Sequence, residues 1–229
     1  MRIHRVQSRI IQITGLLALL VLISGLMNTS FWGNSGNNTN GTAAKDTQQT
    51  AGLTNTKIVA LGDSFTLGYP LGADSSWTQT LADKLQVTVV NKGKSQQTAE
   101  DLLARFEDDV LAENPGRVII FAGTGDAIQN VSLSNYQNSI QEMVKKAKSN
   151  NIIPILALPV WFPDYEQTIE NIREWEISYA QSENILVLDF KDTLFDTNKK
   201  YLSGLSSDGK YPNAKGYKTM GEYAARVLK

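Results

Sequence analysis

The sequence predicts an α/β domain, a parallel sheet covered by helices, running from about residue 57 to the C-terminus. From Lys57 onward, short apolar and partly β-branched runs alternate with longer amphipathic segments, as strands joined by crossover helices do. The connections are short and no internal repeat is visible, so one doubly wound unit accounts for the whole stretch. The residues before it have a different character and form no part of this core.

Taken in order, strands are expected at 57–61, 87–91, 117–122, 152–158 and 185–189, and helices at 76–85, 98–112, 134–149, 166–181 and 213–227. Ile58-Val-Ala-Leu61 is a buried-strand run that Gly62-Asp63-Ser64 ends abruptly. The second strand leads into Asn91-Lys-Gly-Lys-Ser-Gln-Gln-Thr98, where Thr98 with Asp101 suits the cap of the following helix. The third strand ends in Phe121-Ala-Gly-Thr-Gly-Asp126. The fourth, Ile152 to Leu158, opens into Pro159-Val-Trp-Phe-Pro-Asp-Tyr165, and the last helix follows Tyr211-Pro-Asn213. Ligands of such sheets bind at the carboxyl ends of the strands, where these loops lie.

Residues 1–9 form a basic flank with Arg2, Arg5 and Arg9, and 10–27 are apolar except at Gln12, Thr14, Gly15, Ser24 and Gly25. A helix of that length spans about 27 Å, near the hydrocarbon thickness of a bilayer. The arginines place the N-terminus in the cytoplasm and send the rest outward. A cleaved signal peptide is the competing reading, but no small-residue cleavage site follows the run, so an uncleaved signal anchor is favoured. Residues 28–56, rich in Asn, Thr, Gly, Gln and Ser, read as a flexible polar linker.

The chain has 229 residues and a net charge of −1; removing the +3 of residues 1–56 leaves −4 for the domain, which argues against a nucleic-acid partner. There is no cysteine, hence no disulfide, thiolate nucleophile or thiolate metal site. No cofactor and no metal are expected, and no protein partner is legible.

Ile58 to Tyr69 reads IVALGDSFTLGY. A serine on a tight turn at the mouth of a strand can be an exposed nucleophile with backbone N–H groups nearby. An ordinary turn, with Asp63 and Ser64 bonded to local backbone, fits the same residues. Ala60-Leu-Gly-Asp-Ser-Phe-Thr-Leu-Gly-Tyr69 resembles the first block of the SGNH (GDSL) hydrolases, most closely the lysophospholipase/thioesterase I type of esterase. That resemblance implies a flavodoxin-like three-layer α/β/α sandwich over 57–229 with a central parallel sheet. It also implies Ser64 as nucleophile and Asp63 and Gly93 as substrate-binding residues.

The later blocks match in part. Asn91, Ser95 and Thr98 fit the family's Asn-x-x-x-Ser-Gly-x-Thr, but Gln96 stands at the glycine whose N–H joins the oxyanion hole with Ser64. Gly123 and Asp126 fit Gly-x-Asn-Asp, but Gly125 replaces the asparagine donor, a loss that typically costs on the order of 100–1,000-fold in rate. Asp208, Pro212 and Asn213 fit Asp-x-x-His-Pro-Asn, but Tyr211 occupies the catalytic histidine position. The only histidine in the chain is His4, so no Ser-His-Asp triad forms in cis. Lys94 or Lys210 could replace it only with a pKa lowered by roughly 3 units, which loop lysines beside Asp208 do not favour. Trp161 and Phe162 read either as an apolar substrate rim or as packing over the next helix. The resemblance thus implies Ser64, Asp208 and Tyr211, the last at the family's histidine position, as the catalytic set, and an ester, lipid or acylated glycan as ligand. The chain is a membrane-anchored extracellular esterase of impaired activity, a non-catalytic pseudo-hydrolase that binds such a ligand, or a structural envelope domain that uses the fold as scaffold.

Overall fold

The computed structural model describes residues 55–229. The expected basic flank 1–9, membrane span 10–27 and nearly all of the linker 28–56 lie outside the described residues. Among the described residues no helix is long and apolar enough to cross a membrane.

Five parallel strands form one sheet in the order β2-β1-β3-β4-β5, with β1 Ile58–Gly62, β2 Val89–Gly93, β3 Arg117–Phe121, β4 Ile153–Ala157 and β5 Leu186–Leu188. The helices are α1 Ser64–Leu67, α2 Trp77–Leu85, α3 Ala99–Ala104, α4 Phe106–Asp109, α5 Thr124–Ile128, α6 Leu133–Ser149, α7 Glu166–Glu183, α8 Lys191–Leu194 and α9 Ala214–Val227. The described residues thus form the expected flavodoxin-like three-layer α/β/α sandwich. Period-2 alternation divides its core. Ile58, Ala60, Ile119 and Phe121 pack with Trp77 and Leu81 of α2 and Tyr217 and Met220 of α9. Val59, Leu61, Val118 and Ile120 face the other way, against Leu102 of α3, Ile140 and Met143 of α6 and Ile172 of α7. Complete burial of a side chain such as Ile58 or Leu61 contributes about 1.5–3 kcal/mol.

Gly62 pairs with both Gly93 and Phe121, which brings the ends of β2, β1 and β3 level. The connections from β1 and β3 diverge there, and the crevice they leave is the usual ligand position in such sheets. Two expectations shift. The second strand lies at 89–93 rather than 87–91, because its register runs on to Gly93. The helix expected over 98–112 breaks at Arg105 (φ −108°, ψ 11°) into α3, α4 and a 3₁₀ turn at Leu111–Glu113. Glu107, Asp108 and Asp109 all fall in the first turn of α4, where acidic side chains favour a new helix N-terminus over the tail of a longer helix.

Candidate active site

At the end of β1 the chain turns back so tightly that a Cβ on Gly62 would lie 2.2 Å from Thr66 Oγ1. Asp63 caps α1 by accepting the Phe65 amide at 2.9 Å, and Ser64, 5 % exposed, opens α1. The Ser64 hydroxyl oxygen accepts the Gln96 N–H at 3.0 Å and lies 3.2 Å from Ser95 Oγ. A cleft of about 450 Å³ surrounds these groups, lined also by Asp63, Gly125, Gln129 and Tyr211.

The loop after β2 is held by Asn91, whose Nδ2 donates to Thr66 O (2.7 Å) and Thr78 Oγ1 (2.9 Å) and whose Oδ1 accepts the Gly93 amide. Gln96 sits at φ 60°, the left-handed backbone that the glycine of the family pattern would adopt freely. The Gln96 side chain does not prevent this backbone conformation, and the N–H points at Ser64. Gly93 corrects an expectation: a Cβ there would lie 2.0 Å from Leu67 N, so this glycine lets β2 pack against α1 and does not line the cleft.

In the loop after β3, Asp126 accepts the Gly123 and Ala99 amides at 3.1 Å. Gly125 lines the cleft, and a Cβ on it would lie 2.1 Å from the Gln97 carbonyl oxygen. The backbone of the β2 loop fills the space a side chain at 125 would need. Gly125 therefore supplies no side-chain donor to an oxyanion hole, as expected from the sequence, and leaves no room for one. Burial raises Asp63 to about 7 and Asp126 to about 6, with each carboxylate also disfavoured by an acidic neighbour. The Asp63 carboxyl accepts the Phe65 amide, whereas the Ser64 hydroxyl is bonded to Gln96 N and Ser95 Oγ, so the carboxyl is not hydrogen-bonded to it as a base would be.

The closing loop retains its frame. Asp208 Oδ1 accepts the Lys210 amide (2.8 Å), the Tyr211 amide (2.9 Å) and Ser206 Oγ (3.2 Å). Partial desolvation opposes its charge, but these donors outweigh it and hold the carboxyl below the usual range. Asn213 caps α9 by accepting the Gly216 amide. The Tyr211 ring sits among Tyr69, Phe65 and Phe162, with centroids 4.7, 5.3 and 5.4 Å away, and it lines the same cleft as Ser64. Desolvation raises the phenol pKa, the nearby Ser64 hydroxyl opposing it. At neutral pH this phenol donates a proton rather than accepting one.

Ser64, Gln96, Gly125 and Tyr211 thus converge on one cleft although they come from four loops, with Asp208 three residues before Tyr211 and bonded to its amide. Trp161 and Phe162 do not line it, contrary to the rim reading. Trp161 is 8 % exposed, with the Arg173 guanidinium 5.0 Å and the Lys199 ammonium 4.2 Å from its ring; Phe162 is 9 % exposed, behind Tyr211. Both are drawn in by the aromatic and cationic partners that later segments bring to them. Lys94 turns to Asp109 (3.6 Å), and Lys210 is exposed and does not line the cleft. Sequence reasoning missed Gln97 and Gln129, the latter donating to Gln96 O at 2.7 Å. No local motif marks either residue.

The GDSL-like Lipase/Acylhydrolase family pattern matches residues 60–219. Among solved structures, a G-D-S-L family protein from Desulfitobacterium hafniense DCB-2 is 57% identical, with a TM-score of 0.75 over 76% of this chain and 100% of that one. The thioesterase 1/protease 1/lysophospholipase L1 of Escherichia coli K12 is 28% identical over 101 residues, 43% of this chain and 49% of that protein. The chain thus spans about half the length of that curated relative. An acetylxylan esterase of Geobacillus stearothermophilus is 28% identical over 155 residues, 61% of this chain and 71% of that protein.

Proposed function

The chain belongs to the GDSL-like lipase/acylhydrolase family, and from that premise we propose that it is a membrane-anchored extracellular ester-binding member whose hydrolysis is impaired. The observation that carries this reading is Tyr211 at the place of the base. Attack by Ser64 needs a group that takes its proton and returns it to the leaving oxygen. A half-buried phenol with a raised pKa can donate the second proton but cannot accept the first. The remaining features support an ester site. Ser64 faces an open cleft, and the Gln96 N–H stands 3.0 Å from its oxygen, placed to turn to an acyl oxygen once substrate enters.

Relatives named as a thioesterase/lysophospholipase and as an acetylxylan esterase support an ester, a lipid or an acylated glycan as ligand. A non-catalytic pseudo-hydrolase holding such a ligand is the second reading. Gly125 favours it, since no side-chain oxyanion donor stands there and the Gln97 carbonyl fills the space one would need. Anchoring and outward orientation rest on Arg2, Arg5 and Arg9 ahead of the apolar run 10–27.

The test is a panel of short- and long-chain acyl esters offered to the full chain and to Ser64→Ala. The expected result is turnover orders of magnitude below that of a triad-bearing relative, and absent in Ser64→Ala. Fast turnover dependent on Ser64 would overturn the impairment, and binding without turnover would select the pseudo-hydrolase. Protease treatment of intact cells should remove the domain; a domain released into the medium with an N-terminus near residue 45 would overturn the anchor.

A further inference from the structure

We propose that Arg105 is a positioning residue for this site, whose guanidinium ties the end of the nucleophile strand to the loop that presents the Gln96 amide. The inference rests on the ester-processing reading of Ser64 only for its kinetic readout. The Arg105 side chain is 11 % exposed, and its donors converge on three segments. Its Nη2 donates to Gly62 O at 3.0 Å, the last carbonyl of β1 and two residues before Ser64. Its Nη1 donates to Lys92 O at 2.8 Å, near the end of β2, and pairs with Asp109 one turn on. Its Nε donates to Gln97 Oε1, the residue after Gln96.

Gln96 therefore hangs between two fixed points. On one side Lys92 O is held by the guanidinium, and the Lys94 amide joins Gly62 O at 3.0 Å. On the other side Gln97 is tethered by its side chain, while its backbone carbonyl abuts Gly125. Both tethers end on one planar group, so the spacing between the Ser64 strand and the Gln96 loop is set by the geometry of the guanidinium. A lysine keeps the charge for Asp109 but has a single nitrogen, which cannot reach all three acceptors in this fork arrangement. The break between α3 and α4 falls at Arg105 itself, where the backbone leaves the helix.

The test uses the full chain labelled with ¹⁵N and follows amide hydrogen exchange in wild type, Arg105→Lys, Gln97→Ala and Asp109→Asn. Arg105→Lys is expected to speed Gln96 exchange about tenfold or more, while the Val118 and Ile120 amides of β3 keep their rates. Alongside, ester turnover, or labelling of Ser64 by an alkyl fluorophosphonate, should fall by about 10–100-fold, short of complete loss of an oxyanion donor. Gln97→Ala removes one tether and should give a smaller change of the same sign; it also serves if Arg105→Lys does not fold. Asp109→Asn, which leaves the carbonyl contacts in place, should change Gln96 exchange by less than about twofold. Unchanged Gln96 exchange in Arg105→Lys and Gln97→Ala would overturn the proposal. So would a change matched by the β3 amides, or an equal effect from Asp109→Asn. If wild type neither turns over esters nor is labelled, yet Gln96 exchange responds as stated, the positioning role stands and the catalytic reading of Ser64 falls.

Discussion

The turn after β1 and the loop before α9 face each other across the cleft, and they have kept different things. The first keeps both frame and chemistry: Asp63 caps α1, and Ser64 stands at its start with an amide on its hydroxyl. The second keeps its frame alone. Asp208 still gathers the amides of Lys210 and Tyr211 and Asn213 still caps α9, but the side chain carried to Ser64 is a phenol. The difference teaches that the hydrogen bonds shaping a catalytic loop are separable from the side chain that does its chemistry. The backbone bonds persist because they hold the fold, whatever residue 211 is.

The largest effect should come from making the two regions alike. All three bonds to Asp208 fall on Oδ1, which leaves Oδ2 for an imidazole at position 211. Tyr211→His is expected to raise ester turnover by about 100-fold, the low end for general acid–base catalysis, because the Asn donor is still missing. The gain should vanish in Tyr211→His with Ser64→Ala. No gain in steady-state assays across pH 6–9 would mean that the frame no longer aims residue 211 at Ser64.

The two regions should also respond to pH with opposite sign. Burial raises Asp63 to about 7, and likewise Asp126 to about 6 and Glu176 to about 8. For an acid whose folded pKa lies above its unfolded value, the contribution is full below about pH 4 and is lost as pH rises through the folded pKa. Asp208, held low, contributes above its unfolded pKa and loses that as pH falls, and its exposure keeps the contribution small. Urea midpoints should therefore fall between pH 5 and pH 8. Glu176→Gln, keeping the bond from Tyr136 (2.9 Å), should flatten that fall; a profile rising from pH 5 to pH 8 would show that these carboxyls are charged in the fold.

Gly125→Asn, the obvious repair of the oxyanion hole, should fail alone. Its Cβ would meet the Gln97 carbonyl oxygen at 2.1 Å, and forcing such an overlap typically costs about 1–3 kcal/mol. A lower urea midpoint and no gain in turnover are expected; a stable, faster variant would show that the β2 loop yields freely.

Much of this was legible in sequence because it is local. Ile58–Leu61 and Val118–Phe121 declare themselves by composition, Ser64 by the turn around it, and Tyr211 by the pattern that frames it. What was not legible depends on residues far apart in the chain. Trp161 reads as a rim until Arg173 and Lys199 approach its ring. Gly125 reads as a lost donor, but that the Gln97 carbonyl fills the space such a donor would need is visible only in the fold. The break at Arg105 has a local signal in Glu107-Asp-Asp109, but helical periodicity across 98–112 conceals it.

The smallest effect sharpens the comparison at the loop between the two regions. Gln96 adopts φ 60°, where a side chain with a Cβ costs roughly 1–2 kcal/mol relative to its preferred backbone. Glycine removes that strain but loses more chain entropy on folding, roughly 0.5–1 kcal/mol. The balance for Gln96→Gly is a stabilisation of about 1 kcal/mol or less, or about 2–4 °C in Tm for a domain of this size. The amide donated to Ser64 belongs to the backbone, so the variant retains it, as well as the Gln96 carbonyl that accepts from Gln129. Turnover should therefore change less than threefold, since nothing that touches the acyl oxygen is removed. Paired with Tyr211→His, the two changes meet at Ser64, so a double-mutant cycle reads how far the backbone of the loop and the side chain at 211 are coupled. A fall in Tm on Gln96→Gly would mean that the glutamine side chain holds the loop, and the strained backbone would then be a consequence of that contact.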